Sequence, residues 1–369
     1  MSDFAFEPAS PADDEALRRL VASEPVPGSI TVSYTREPDY FAGCGTMGPF
    51  TQVFVCRHRP TGAVAGIGCR AVRRLFVNGE SREIGYLGQL RVASAFQGRA
   101  LLRQAFRSFR PLIDDGRVPV HVTTIIEQNR QAMGLLVDRP RPGLPRYREV
   151  ARLETLVFAA RALRSTPPAG CTLETGATAD LAAIVGVLNR EGRRRQFALV
   201  HDVASFAPDS PATLGLALED LFVARRRAAI VGVLGLWDQS AYKQSVVRGY
   251  AGALGRWRHA LNLIAPVLGR PRLPEPGARL RHAYASFAAI ANDDASVFSW
   301  LLRLALTRAR QRGQDHVLLG LDSQDPLAPA ARRLRPLVYP SRVYTVSWDD
   351  GAFHASLDRR PTRLEVATL

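Results

Sequence analysis

Apolar residues recur along the chain with two spacings, and the order of those spacings repeats. Residues 84–92, IGYLGQLRV, predict a strand. From about residue 98 to 113 the spacing changes. Leu101, Leu102, Ala105, Phe106, Phe109, Leu112 and Ile113 recur at helical intervals, with Arg99, Arg103, Arg107 and Arg110 on the opposite side, which predicts an amphipathic helix. DDG closes it. The β-branched VPVHVTTII (118–126) predicts a strand, NRQAMGLLV (129–137) a short helix, and residues around 147–159 further strands. Upstream, FAFEPA (4–9) and DDEALRRLVA (13–22) predict a strand and a helix, and residues 52–75 a hairpin around a polar turn.

The second half runs through the same order. Residues 171–177 and 179–192 predict strand then helix, 220–239 a hairpin, and 284–292 a strand. A helix over 294–313 carries Val297, Phe298, Leu301, Leu302, Ala305 and Ala309 on one face, and Gly313 stops it. Strands follow at 315–323, 341–348 and 363–369, with a short helix opened by proline at 326–335. Between the halves, ARALRSTPPAGC (160–171) reads as a linker. With 369 residues the chain exceeds one ordinary domain core. The expectation is an α/β chain of the mixed-sheet, α+β type. It has two units, 1–160 and 171–369, that arose by internal duplication.

The junction VASAFQGRALLRQAF (92–106) carries the first chemical signal. A helix N-terminus offers unsatisfied N–H groups and partial positive charge, which suit a phosphate. Gly98 lets the backbone approach an anion, and Arg99 and Arg103 add charge at the same end. The alternative is that Gln97 and Gly98 only cap a structural helix. The matching loop in the second half, ANDDASV (291–297), lacks Gly and Arg. Asp293 or Asp294 is a natural N-cap there, and its carboxylate repels a phosphate. The second unit is therefore expected to bind no phosphorylated cofactor.

On these residues the chain resembles a tandem pair of GCN5-related N-acetyltransferase (GNAT) domains. That family shows a strand, then Arg/Gln-x-x-Gly-x-Gly/Ala, then a helix. Gln97, Gly98, Arg99, Ala100, Leu101 and Leu102 occupy this signature. Gln97 matches, Ala100 stands where Gly is usual, and Leu102 where Gly or Ala is usual. Asn129, Ala132 and Leu135 fit the later Asn-x-x-Ala-x-x-Leu-Tyr pattern, with Leu136 in place of the tyrosine. The resemblance covers most of residues 4–159 and, more loosely, 171–369. It implies a mixed sheet splayed between its fourth and fifth strands. It also implies acetyl-CoA or another acyl-CoA as cosubstrate, its diphosphate on the N–H groups of residues 98 to 103. Main-chain N–H groups of Leu90, Arg91 and Val92 would hold the thioester carbonyl.

Acyl transfer to an amine needs a proton acceptor, donors for the carbonyl oxygen and an acid for the leaving thiolate. Tyr86, Tyr147 and Glu83 are the candidate catalytic side chains, with Glu127 a further carboxylate. His121 sits alone in an apolar strand, the pattern of a hydrogen-bonded core histidine. No His or carboxylate set has metal-ligand spacing, so no metal is expected. The dinucleotide fingerprint G-x-G-x-x-G is absent. AGCGTMG (42–48) reads as a loop. Residues 236–264 concentrate Trp237, Asp238, Tyr242, Lys243, Tyr250 and Trp257, either lining an acceptor pocket or packing as an amphipathic helix. Lys243 is the one lysine of the chain.

Composition narrows the rest. The net charge of +15 favours polyanionic ligands, a phosphorylated cofactor or a nucleic acid. The arginines are spread through both units without aromatic-basic interleaving, which argues against nucleic acid. No apolar run approaches the ~20 residues that span a bilayer. The acidic N-terminus lacks a signal-peptide core, and Cys44, Cys56, Cys69 and Cys171 form no CxxC pair, so a reducing cytoplasm is expected. The expected function is N-acyl transfer from acyl-CoA to an amine. The alternatives are a non-catalytic acyl-CoA sensor or scaffold, and a basic nucleic-acid-binding module. The sequence does not specify the acceptor or the oligomeric state.

Overall fold

The computed structural model describes residues 3–26, 28, 30–98, 101–138, 142–265 and 271–369. The first half runs β1 (Phe4–Pro8), α1 (Asp14–Ser23), β2 (Ile30–Thr35), β3 (Phe50–His58), β4 (Val64–Val77), β5 (Glu80–Val92), α2 (Leu101–Ile113), β6 (His121–Ile126), α3 (Arg130–Leu136) and β7 (Arg146–Ala159). The second runs β8 (Cys171–Thr175), α4 (Leu181–Gly192), β9 (Leu221–Arg226), β10 (Ala229–Trp237), β11 (Gln244–Tyr250), α5 (Gly252–Ile264), β12 (His282–Ile290), α6 (Ala295–Gln311), β13 (His316–Asp322), α7 (Ala328–Arg332), β14 (Leu337–Ser347) and α8 (Ala352–Ala355).

One mixed sheet of twelve strands, in the order β1-β3-β4-β5-β6-β14-β7-β13-β12-β10-β9-β8, passes through both halves. The last strand of each half is shared. β14 lies antiparallel between β6 and β7, and β7 in turn pairs with β13. Residues 160–170 connect the halves without strand or helix. β2 and β11 form a separate antiparallel ribbon. Helices α4 and α6 cover the second half with Ile184, Val187, Leu188, Phe298, Leu301 and Leu302, the faces their periodicity predicts.

Two features position the site. First, β5 carries a bulge: Gly88 faces Cys69 and Arg91 faces Ile67, so β5 has one extra residue there, and Gln89 adopts φ +57°. Second, β5 pairs with parallel β6 only at Gly85↔His121 and Tyr86↔Val122. Beyond that point the strands part. The second half repeats both. Ser286 faces Gly235 and Ala289 faces Val233 across a bulge in which Phe287 has φ +58°. β12 pairs with parallel β13 from His282↔His316 to Tyr284↔Leu318.

Two expectations from the sequence need correction. Residues 363–369 form no strand; they end in a 3-10 turn, Val366–Thr368, because the Glu365 side chain turns inward and caps it. Residues 236–264 are not one helix but the end of β10, then β11, then α5, on which no residue is buried and Trp257 is 59% exposed.

Gly85 marks the apex of the splay, since a Cβ there would lie 2.1 Å from the His121 ring. Gly85→Ala is expected to destabilise the protein by about 1–3 kcal/mol, measured by urea unfolding, because either the ring or β6 must shift.

Candidate active site

The opening between β5 and β6 is a cavity of about 390 Å³. Its walls come from both halves. Gly88 to Val92 supply the bulged edge of β5, and Thr123 to Ile126 the facing edge of β6. Thr123 Oγ1 donates to the Leu87 carbonyl at 2.7 Å, and Tyr86 Oη lies 3.3 Å from Thr124 Oγ1, so side chains bridge the strands just where backbone pairing stops. An apolar wall of Phe6, Phe54, Leu101, Phe106, Phe109 and Ile113 comes from β1, β3 and the inner face of α2. The remaining wall includes Arg36, Lys243, Tyr284 and Leu369.

Several residues that the sequence singles out meet at this cavity: Tyr86, Leu90, Arg91, Val92, Leu101, Leu102, Asn129 and Tyr147 line it. Asn129 also caps α3, its Oδ1 accepting from the Ala132 N–H at 3.0 Å. Gln97, Gly98 and Arg103 sit at the start of α2 but outside the lining, and Gly98 has φ +79°. Arg99 and Ala100 lie outside the described residues. Glu83 is on the exposed stretch of β5, opposite Arg74 and away from the cavity. Glu127 pairs with Arg152 and Arg342. Of the aromatic and polar residues in 236–264, Lys243 alone lines the cavity. Trp237 Nε1 and Tyr242 Oη both donate to the Leu214 carbonyl, and Tyr250 Oη to that of Pro274.

The charged side chains of the lining share one sign. Among the described residues the cavity is bordered by the cations Arg36, Arg91 and Lys243 and by no Asp or Glu side chain. Lys243 Nζ donates to the main-chain oxygens of Ala367 and Leu369 at 3.2 and 2.9 Å; burial, then Arg36, push its ammonium down to about 7. Burial likewise lowers the Arg91 guanidinium. It raises the phenols of Tyr86 and Tyr147, which therefore stay protonated. No group of three His, Cys, Asp or Glu poised for a metal occurs among the described residues.

No protein-family model matches the chain, and no curated protein sequence matches it. Solved structures do. A GCN5-related N-acetyltransferase from Sphaerobacter thermophilus is 13% identical with a TM-score of 0.55, over 94% of this chain and 96% of that one. Saccharomyces cerevisiae N-myristoyltransferase with bound myristoyl-CoA is 11% identical with a TM-score of 0.64, over 99% of this chain and 90% of that one. The GCN5-related glucosamine N-acetyltransferase region of a fungal multi-domain β-N-acetylglucosaminidase is 12% identical with a TM-score of 0.58, over 94% of this chain and 38% of that one. The chain has the GNAT fold.

Its two halves use that fold differently. In the second half, the Glu365 carboxylate accepts from the Phe287 N–H at 3.0 Å and from Ser286 Oγ at 3.1 Å. Arg363 Nη1 donates to the Ala288 carbonyl at 2.7 Å. Val366 lies against Gly320, where a Cβ would come within 2.3 Å of it. The second splay is thus filled by the chain's own 363–366 segment, leaving a pocket of only about 50 Å³. The start of α6 is filled as well: Asp294 Oδ1 accepts from the N–H groups of Ser296 and Val297 at 2.9 and 3.3 Å. By register, Gln89 in the first half is the counterpart of Phe287, and Gln89 lines the open cavity.

His121 is a structural residue of this GNAT fold. It is buried, and its Nε2 accepts from Arg70 Nε at 3.1 Å, while Arg70 also grips both Asp115 oxygens. Burial, then the Arg70 charge, hold the imidazole down at about 3. Between about 3 and the ordinary 6.5 the unfolded chain takes up a proton that the folded chain refuses. Stability should therefore fall as pH drops through that window, by up to about 1.4 kcal/mol per pH unit. His121→Gln, which keeps an acceptor for Arg70, is expected to flatten this slope in thermal melts taken between pH 4 and 7.

Proposed function

We propose that the chain is an acyltransferase that moves an acyl group from acyl-CoA to an amine, in the cavity of the first half alone. The observation that carries this reading is the contrast between the two bulges. The protein's own Glu365 supplies an oxygen acceptor to the Phe287 amide, and the equivalent Gln89 amide stands at an open, acyl-sized cavity. A thioester carbonyl oxygen is the acceptor that this position suits, with Leu90, Arg91 and Val92 continuing the edge. The coenzyme diphosphate belongs at the start of α2, near Gln97, Gly98 and Arg103. N-acetyltransferase and N-myristoyltransferase structures of the same fold support acyl-CoA as the donor.

In the reaction, the amine nitrogen bonds to the thioester carbon, the C–S bond breaks, the amine loses a proton and the thiolate gains one. Tyr147 is the acid. It lines the cavity together with Leu136, the position of the tyrosine in the GNAT pattern, and its phenol is kept protonated by burial. A tyrosine at the cavity weighs against the non-catalytic reading, which rests on the missing tyrosine at Leu136 and on the altered glycines. Tyr86 instead braces the apex through Thr124, and Glu83 has no part in the chemistry. The aromatic wall suits an acyl chain longer than acetyl. All four cysteines are free and buried, which supports a cytoplasmic setting. Among the described residues no helix is long and apolar enough to cross a membrane.

Release of free thiol from acyl-CoAs of graded length, in the presence of an amine panel, tests the reading. Tyr147→Phe should lower kcat about a hundredfold while calorimetry shows acyl-CoA affinity within twofold of the parent. Phe109→Trp should narrow the apolar wall and lower kcat/KM for long-chain donors about tenfold relative to acetyl-CoA. Failure of every acyl-CoA to bind would dismiss the proposal.

A further inference from the structure

Arg36 follows β2 directly, and it is 4% exposed. Its guanidinium lies over the Tyr40 ring at 5.3 Å, and its Nη1 has no hydrogen-bond partner among the described residues. A guanidinium carries five donors and a permanent charge, so enclosing one without an acceptor is costly. Two other buried arginines find full sets of partners. Arg70 reaches His121, Gln52, the Leu112 carbonyl and Asp115, and Arg195 pairs with Asp293 and Asp325. Arg73 is also short of partners, but it donates to Thr368 and does not line the cavity. Arg36 does line it.

The surroundings of Arg36 deepen the mismatch. Lys243 shares the same cavity wall, 5.5 Å from the Tyr284 ring, and Arg91 is the other charge of the lining. The buried carboxylate of this region, Glu365, is engaged by Ser286, Phe287 and Ala367. This cationic end is also separate from the proposed diphosphate position. The start of α2 packs through Leu101 with Phe4, Cys56 and Ala65, whereas Arg36 follows β2 over the Tyr40 ring and Lys243 precedes β11 and faces Tyr284 of β12. The missing anion therefore belongs to the other substrate.

We propose that the acyl acceptor is a free amino acid, whose carboxylate is bound by Arg36 with Lys243 beside it, while its amine faces the bulge of β5. This rests on the acyltransferase reading and names the acceptor class. The amino-acid nitrogen forms the new amide bond to the acyl carbon, the thioester C–S bond breaks, and the proton given up by the amine balances the one that coenzyme A thiol takes away. The product is an N-acyl amino acid. Arg36 is the specificity-determining residue: it pairs with a charge that a plain amine or an amino-acid amide does not bring.

The test uses the full chain with octanoyl-CoA, the standard amino acids and, for each, its carboxamide. At least one amino acid should turn over with kcat/KM about tenfold or more above its amide. Arg36→Gln should bring that ratio close to one, chiefly through KM for the acid, and Arg36→Lys should retain part of the preference. The comparison of acid with amide needs only the parent protein, so it decides the matter even where a substitution impairs folding. Equal turnover of acids and amides, turnover of neutral amines only, or a preference that survives Arg36→Gln would overturn the inference and leave the acyltransferase reading standing. Absence of acylation of any amine, with no calorimetric binding of octanoyl-CoA, would bring down both.

Discussion

Everything distinctive about this molecule follows from two strands that stop pairing. β5 and β6 run parallel and share a ladder for two residue pairs, then diverge. The extra residue at the β5 bulge turns the strand away from β6. At the apex, the Gly85 backbone accommodates the His121 ring, and Arg70 holds that ring from beneath through a bond that reaches on to Asp115. The gap is therefore a built part of the sheet. Its unpaired edges have to find partners in side chains, in water or in a ligand.

The second half shows what happens when such an edge is satisfied from within. The same bulge recurs there with nearly the same φ, and the 363–366 segment lies across it, carboxylate to amide and guanidinium to carbonyl. Each half carries such an opening, and the second is taken up by the end of the second half. That anchoring also delivers Val366 and Leu369 to the wall of the first cavity. The exchange of β7 and β14 between the halves fixes the two openings in one continuous sheet. The filled half is thereby a wall of the open one.

Local signals in the sequence carried far. The strand over 84–92, the arginine-faced helix after it and the capping aspartate at 294 are all properties of neighbouring residues, and all stand in the structure. What the sequence hid is long-range. The pairing of β14 with β6 joins residues some two hundred positions apart, and nothing in either segment names its partner. RLEVATL reads as a strand because its apolar residues alternate, yet Glu365 and Arg363 bind across the bulge and curl the chain into a turn. Lys243 is conspicuous for its rarity. Arg36 is hidden among many arginines, and only its place on the cavity wall, with Nη1 unpartnered among the described residues, sets it apart.

That difference bears on how the net charge of +15 is held. Most arginine chemistry here is local and neutralising: Arg57 bridges Glu7 and Asp13, Arg332 reaches Glu154, and Arg363 meets Asp325. Glu154 and Asp325 are buried, so leaving either without its arginine would be costly. The cavity breaks the pattern, because three cations border it without a carboxylate side chain among them. Placing Arg36 and Lys243 in a desolvated wall lowers the stability of the free protein, and the depressed Lys243 ammonium is the local sign of that cost. Such a cost is tolerated where the wall serves a ligand, and an anionic one would return the energy on binding. Apolar wall, open bulge and cationic end thus divide the cavity into a place for a chain, a place for a carbonyl and a place for a charge.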